Sequence, residues 1–153
     1  MRPLRVYVDT SVFGGMFDVE YAEDTQRFFN LVDAGRFCLV VSDQVQDEII
    51  PAPPEVRRFF YAELPSMEYL AFTPKVRELA ELYITNEVVS GNHRADAMHV
   101  AYATVHKCTG VVSWNFKHML KPYRRVRFNL ANVESGHPQL FIASPKEVEN
   151  HEE

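Results

Sequence analysis

The stretch from Arg94 to Lys117, RADAMHVAYATVHKCTGVVSWNFK, constrains the fold of this chain more than any other. It reads as one amphipathic helix, a glycine turn and a short β-branched strand that ends on the polar residue Asn115. The helix opens with Asp96, and a strand far upstream, Val6-Tyr7-Val8, runs directly into Asp9. Carboxylates at a strand end and at a helix start can converge on one spot. Converged carboxylates repel each other unless positive charge lies between them, and a divalent cation is the natural occupant.

The rest of the chain repeats this alternation. Short apolar strands are expected at residues 5–9, 37–41, 69–72, 111–113 and 140–143. Helices are expected at 21–34, from Ser42 or Asp43 to the Pro51-Pro53-Pro54 stop, at 55–63, at 74–85 with Thr73 as cap, at 94–107 and near 129–134. Gly35 is expected to end the first of these. Strands alternating with helices predict an α/β fold: three layers, α/β/α, around a central parallel sheet of four to five short strands. Pro and Gly clusters are brief, so one domain is expected across residues 1–153.

Composition narrows the function classes. The chain has 153 residues, 46% of them apolar, enough for one core. No apolar run approaches the roughly 20 residues of a membrane span, and the N-terminus lacks a signal-peptide core, so a cytoplasmic protein without membrane attachment is expected. Cys38 and Cys108 are read as reduced, buried, small hydrophobes. His93, His99, His106, His118, His137 and His151 show no zinc spacing with them. The net charge of −5 argues against broad nonspecific binding to nucleic acid. It is unevenly spread, because Lys117, Lys121, Arg124, Arg125 and Arg127 form a basic run. That run is a seat for a nucleic-acid backbone, a solvated basic face or a seat for an acidic partner segment. Eleven Phe and seven Tyr are many for one core, so Phe28, Phe29, Phe59, Phe60 and Tyr61 are also candidates for an apolar interface, with the pair Phe59-Phe60 read rather as core.

Four residues are candidates for chemistry. Asp9 lies beyond the carboxyl end of a strand, where open parallel sheets bind ligands, although an Asp there also caps a following helix. Glu48 shares a helix face with Val45 and Ile49, whereas its neighbour Asp47 points about 100° away. Its plain alternative is a solvated surface Glu. Asp96 suits a helix start by charge alone. Asn115 mirrors Asp9 at the end of a strand and offers an amide oxygen but no charge. Around them, Thr10 or Ser11 can orient Asp9, and Ser113 can hold a water or a carboxylate. His99 is read as a packed or hydrogen-bonded histidine, and Tyr7, Cys38 and Trp114 as packing residues.

Taken in order, VDTSV with Asp9, DQVQDEI with Glu48, RADAMHVAYA with Asp96 and VSWNFKHM with Asn115 resemble the motifs of PIN-domain nucleases, specifically the VapC-type toxins of toxin–antitoxin pairs. The resemblance spans nearly the whole chain. It implies a PIN-like fold and Mg²⁺- or Mn²⁺-dependent hydrolysis of RNA phosphodiesters. Asp9, Glu48 and Asp96 would be metal ligands and Asn115 a further catalytic residue. It also implies a homodimer and an antitoxin partner. The sequence departs from the pattern at Asn115, where many relatives carry Asp. That departure weakens a second metal site and motivates an alternative, a PIN-like protein that has lost most catalysis and serves in binding or regulation. A Rossmann-type nucleotide binder is disfavoured because Gly14-Gly15 is no GxGxxG turn. An Asp9-nucleophile phosphotransferase lacks the second Asp two residues on, where Ser11 stands.

Overall fold

The computed structural model describes residues 2–150, so His151 and the end of the acidic tail lie outside the described residues. The chain runs β1 (Leu4–Val8), α1 (Thr10–Gly15), α2 (Ala22–Asp33), β2 (Phe37–Ser42), α3 (Asp43–Ile49), α4 (Pro54–Glu63), β3 (Glu68–Leu70), α5 (Pro74–Thr85), α6 (Arg94–Val105), β4 (Gly110–Val112), α7 (Pro122–Glu134) and β5 (Phe141–Ala143). One 3₁₀ turn, Gly91–His93, leads into α6, and one π-helical turn, Phe116–Leu120, follows β4.

The five strands form one parallel sheet in the order β3-β2-β1-β4-β5. Val6, Tyr7 and Val8 are fully buried in succession, as are Val40 with Val41 and Val111 with Val112. Successive strand residues face opposite sides, so both faces of the sheet are covered by helices. Burying both faces takes continuous apolar runs, and β-branched residues fit the pleat.

The helix read as amphipathic is not. In α6, Ala97, His99, Val100, Ala101, Tyr102, Ala103 and Thr104 are all buried, so it is covered nearly all round. Its alanines let it lie close to β1, β4 and α5. Its polar residues are satisfied internally: the Tyr102 hydroxyl donates to Asp43, and Thr104 Oγ1 accepts from the Tyr83 hydroxyl at 3.3 Å and from Asn132 Nδ2 at 3.2 Å.

Thr73 stands at the N-cap of α5 with Pro74 at its first position, as expected, although its hydroxyl makes no cap bond. Two local expectations are corrected. Helix α7 begins at Pro122, not near residue 129, because Arg124, Arg125 and Arg127 of the basic run belong to it, while Phe128, Ala131 and Asn132 form its buried face. Phe28 and Phe29 belong to the core, not to an interface; Phe60 is in the core and Phe59 packs against it, as read, and Tyr61 stays exposed. Phe13 joins them, with an edge contact to Phe60 at 5.1 Å between centroids. Gly35 ends α2 as expected, at φ +84°, a conformation that costs glycine nothing. Ser42 caps α3 through the Val45 N–H at 3.3 Å, and both cysteines are free thiols. Among the described residues no helix is long and apolar enough to cross a membrane.

Candidate metal centre at the sheet switch point

The strand order reverses at β1, which has β2 on one side and β4 on the other. A crevice opens beyond the carboxyl ends of strands at such a point. Val8 stands opposite Val112 in the register, so the residues that follow, Asp9 and Ser113, leave the sheet side by side. Ser113 donates its hydroxyl to Asp9 Oδ2 at 2.7 Å. The other oxygen, Oδ1, accepts from the Ser11 hydroxyl at 2.5 Å and the Ser11 N–H at 3.2 Å. Each serine oxygen then accepts a backbone amide from the loop after β4: Ser11 that of Trp114 and Ser113 that of Asn115, both at 2.9 Å. Asp9 therefore caps α1 and is clamped at the same time by both strand ends. The two readings of Asp9 are compatible.

Helix α3 carries Glu48 to the same place, while Asp47 is exposed. Glu48 Oε1 accepts from the Thr10 hydroxyl at 2.5 Å and from His99 Nε2 at 2.9 Å, and Oε2 accepts from Gln44 Nε2 at 3.0 Å. Thr10 thus orients Glu48, and Ser11 alone of the pair orients Asp9. His99 is buried, and its second nitrogen, Nδ1, meets the Tyr7 hydroxyl at 2.6 Å; that hydroxyl also lies 2.7 Å from Ser42 Oγ. These partners assign Nε2–H as donor to Glu48 and Nδ1 as acceptor from Tyr7 when the ring is neutral. Tyr7 is therefore more than a packing residue. Trp114 is also anchored, its indole N–H donating to Thr25 Oγ1 at 2.9 Å.

Asp96, in the first turn of α6, accepts through Oδ1 from the Asn115 side-chain amide at 3.0 Å. The Asn115 oxygen is in turn occupied by the His118 N–H at 2.9 Å. Asp9, Glu48, Asp96, His99 and Asn115 line one cavity of about 350 Å³, whose wall Thr10, Ser11, Ala95 and Trp114 complete.

The electrostatics follow from burial. Desolvation raises the Asp9 carboxyl above its ordinary range, against His99 and the two serine bonds, and the charge of Asp96 adds to the rise. Burial likewise raises Asp96, with Glu48 contributing. Glu48 is the exception: burial pushes it up, but the His99 hydrogen bond and charge, with Thr10 and Gln44, bring it below the ordinary value. His99 is the counterpart: burial lowers it, but its bond to Glu48 and the charges of Glu48, Asp9 and Asp96 raise it overall.

The donor set fits a hard divalent cation: three carboxylates on one wall, with the Asn115 amide already engaged by Asp96 and His118. It is not a closed cage. Among the described residues, the group of three whose ligand atoms all lie within 4.8 Å of one another is His93, Asp96 and His118. The wider spacing of Asp9, Glu48 and Asp96 suits a partly hydrated ion such as Mg²⁺, which keeps several waters and takes few protein oxygens directly.

The basic run divides. Arg124 donates to the Val88 carbonyl at 2.5 Å, Arg127 to the Asn86 carbonyl at 2.8 Å, and Arg125 pairs with Glu147 at 3.0 Å. Lys117 and Lys121 are exposed and have no ion pair among the described residues. The arginines thus brace α7 while the lysines stay available.

Neither a protein-family model nor a curated protein sequence matches the chain. Among solved structures, it is similar to a chain in the crystal structure of VapBC2 from Rickettsia felis bound to a DNA fragment from their promoter. The TM-score is 0.57 at 13% identity, over 92% of this chain and 98% of that one. At that identity the likeness establishes the fold, a PIN-like parallel α/β/α arrangement.

Proposed function

We propose that this chain is a Mg²⁺- or Mn²⁺-dependent endoribonuclease and the toxin of a type II toxin–antitoxin pair. The observation that carries the reading is the meeting of Asp9, Glu48 and Asp96 on one cavity wall at the switch point, from elements far apart in sequence. The PIN-like fold and the motif resemblance supply the substrate class, RNA. VapBC2, to which the chain is similar in fold, is bound to promoter DNA in its crystal, and an antitoxin is the corresponding partner proposed here. A homodimer is proposed on the motif resemblance.

In this reading Asp9, Glu48 and Asp96 hold the cation. When bound, it polarises phosphate oxygens and acidifies water, offsetting charge that builds during phosphodiester cleavage. The chain's own residues do the rest. Ser11 and Ser113 fix Asp9, and Thr10, Gln44 and His99 fix Glu48, so neither carboxylate must reorganise during reaction. Asn115 holds Asp96 and keeps that edge of the site neutral. The same carboxylates are the bases at hand for the proton of an attacking water. Lys117 and Lys121, next to the loop that carries Asn115, are placed to contact the phosphate backbone of the substrate.

The neutral Asn115 also favours a second reading, a PIN-like binding or regulatory protein with weakened catalysis. RNA cleavage with Mg²⁺ or Mn²⁺ separates the two. The nuclease reading expects wild type to cleave and Asp9→Asn to lose at least about a hundredfold in rate. Equal background cleavage by both proteins would favour the second reading.

A further inference from the structure

Asp96 faces two ways. Its Oδ1 is taken by Asn115, but Oδ2 looks toward His93, whose Nδ1 lies 3.9 Å away. His118 completes the group from the other side: its ring stacks on that of His93 with centroids 3.5 Å apart. One ligand atom from each of His93, Asp96 and His118 lies within 4.8 Å of the others. His118 Nδ1 is buried and makes no hydrogen bond among the described residues. A buried ring nitrogen without a partner is costly, and a ligand bonded to it would remove that cost.

We infer that His93, Asp96 and His118 form a transition-metal site, one that takes Zn²⁺ or Co²⁺ in preference to Mg²⁺. Two imidazoles are borderline donors that, beside one carboxylate, suit Zn²⁺ and its neighbours, whereas Mg²⁺ favours all-oxygen shells. Ligands bonded to Zn²⁺ at about 2.0–2.1 Å sit roughly 3–3.5 Å apart, so binding would draw the three atoms inward from within 4.8 Å and part the two stacked rings. Three protein ligands leave coordination positions open, as in zinc sites that bind a further group. The three residues come from separate places: the 3₁₀ turn before α6, the first turn of α6, and the π-helical turn after β4. No local zinc spacing announces them. The site shares Asp96 with the proposed nuclease centre and is otherwise built from residues that centre does not use. Where the fourth motif supplies an amide instead of a carboxylate, these two histidines supply metal-binding capacity on the same flank.

Calorimetric titration of the metal-free full chain with Zn²⁺ and with Co²⁺ tests this, alongside His93→Gln, His118→Gln and Asp9→Asn. The melting temperature of each variant without metal is checked first, and His93, being half exposed, gives a second variant if His118→Gln proves unstable. The expected result is a Zn²⁺ and Co²⁺ site that persists in Asp9→Asn and weakens at least roughly tenfold in either histidine variant, the lower end seen even for indirect ligand contacts. Zn²⁺ affinity unchanged in both histidine variants, or abolished by Asp9→Asn alone, would overturn the site. The absence of a Zn²⁺ site in wild type would do the same. Because Asp9→Asn disables the carboxylate centre, its Zn²⁺ uptake reports on this site, whereas its loss of Mg²⁺-dependent cleavage reports on the nuclease reading.

Discussion

The side-chain amide of Asn115 donates to Asp96 Oδ1 at 3.0 Å, so the loop after β4 is joined to the start of α6 without any cation. A carboxylate in place of that amide would put two like charges at hydrogen-bonding distance.

Asn115→Asp is therefore predicted to act in opposite directions with and without metal. Repulsion between the introduced carboxylate and Asp96 should lower the melting temperature of the metal-free protein by about 2–4 °C, the shift for roughly 1 kcal/mol in a chain of this size. The added charge should tighten Mg²⁺ binding about tenfold. Thermal melts in EDTA and Mg²⁺ titrations of the same preparation check both. A melting temperature unchanged in EDTA would contradict the contact described.

Asp9→Asn should stabilise the metal-free chain. Burial raises the Asp9 carboxyl, so its charged form burdens the folded state at neutral pH. Asparagine keeps an acceptor for Ser11, and the Ser113 hydroxyl can turn to accept from the new amide. The melting temperature in EDTA should rise by a few degrees while Mg²⁺ ceases to stabilise the protein. A fall in EDTA would show that Asp9 serves mainly as a structural anchor.

Stability without metal should peak at mildly acidic pH. His99 is raised from 6.5, so its contribution is complete below about that value and is lost as pH rises through its folded pKa. Glu48 is lowered from 4.5, so its contribution is present above that value and is lost as pH falls through its folded pKa. Asp9 and Asp96 are raised, and their penalty is relieved as pH falls through their folded values. The His99 and Glu48 contributions are both present between 4.5 and 6.5, while the Asp9 and Asp96 penalty grows as pH rises. Melts in EDTA across pH 4.5 to 8, numbers roughly bracketing the ordinary Glu and His values, should show this maximum, and Mg²⁺ should move it toward neutrality. A metal-free melting temperature that climbs steadily to pH 8 would contradict the assignment.

Tyr7→Phe removes the hydroxyl shared by Ser42 and His99 and leaves a buried His99 nitrogen without its partner. The cost is expected at about 1–3 kcal/mol, read as a lower urea midpoint at unchanged slope. Cleavage should fall less than in Asp9→Asn, because His99 and Glu48 stay in contact.

Gly15→Ala tests the support beneath the site. A methyl there would lie 2.6 Å from Trp114 Nε1 and 2.8 Å from Thr25 Oγ1, the pair that anchors the loop leading to Asn115. Overpacking of this kind costs about 1–3 kcal/mol, and the displaced loop should weaken Mg²⁺ binding as well. Unchanged Mg²⁺ affinity alongside the stability loss would separate Trp114 from the site.

Much of this arrangement can be read from the chain itself. Asp9, Glu48 and Asp96 stand where local pattern puts them: after a buried strand, on a helix face beside Val45 and Ile49, and in a first helical turn. Periodicity and strand ends report such placements because they are local. What stayed hidden depends on partners distant in sequence. His99 meets Tyr7 and Glu48 across 92 and 51 residues, and nothing near it foretells either bond. The Tyr102–Asp43 and Thr104–Asn132 bonds made α6 look half solvated, although its polar groups are satisfied inside. The stacking of His93 on His118 likewise exists only after the loops fold over the sheet end.

Calorimetric titration with Mg²⁺ reports on the meeting of Asp9, Glu48 and Asp96 itself, since Mg²⁺ favours the oxygen ligands over the histidine group. Wild type is expected to bind, and Asp9→Asn, Glu48→Gln and Asp96→Asn, taken singly, are expected to lose that binding. Undiminished Mg²⁺ binding in all three variants would contradict that meeting.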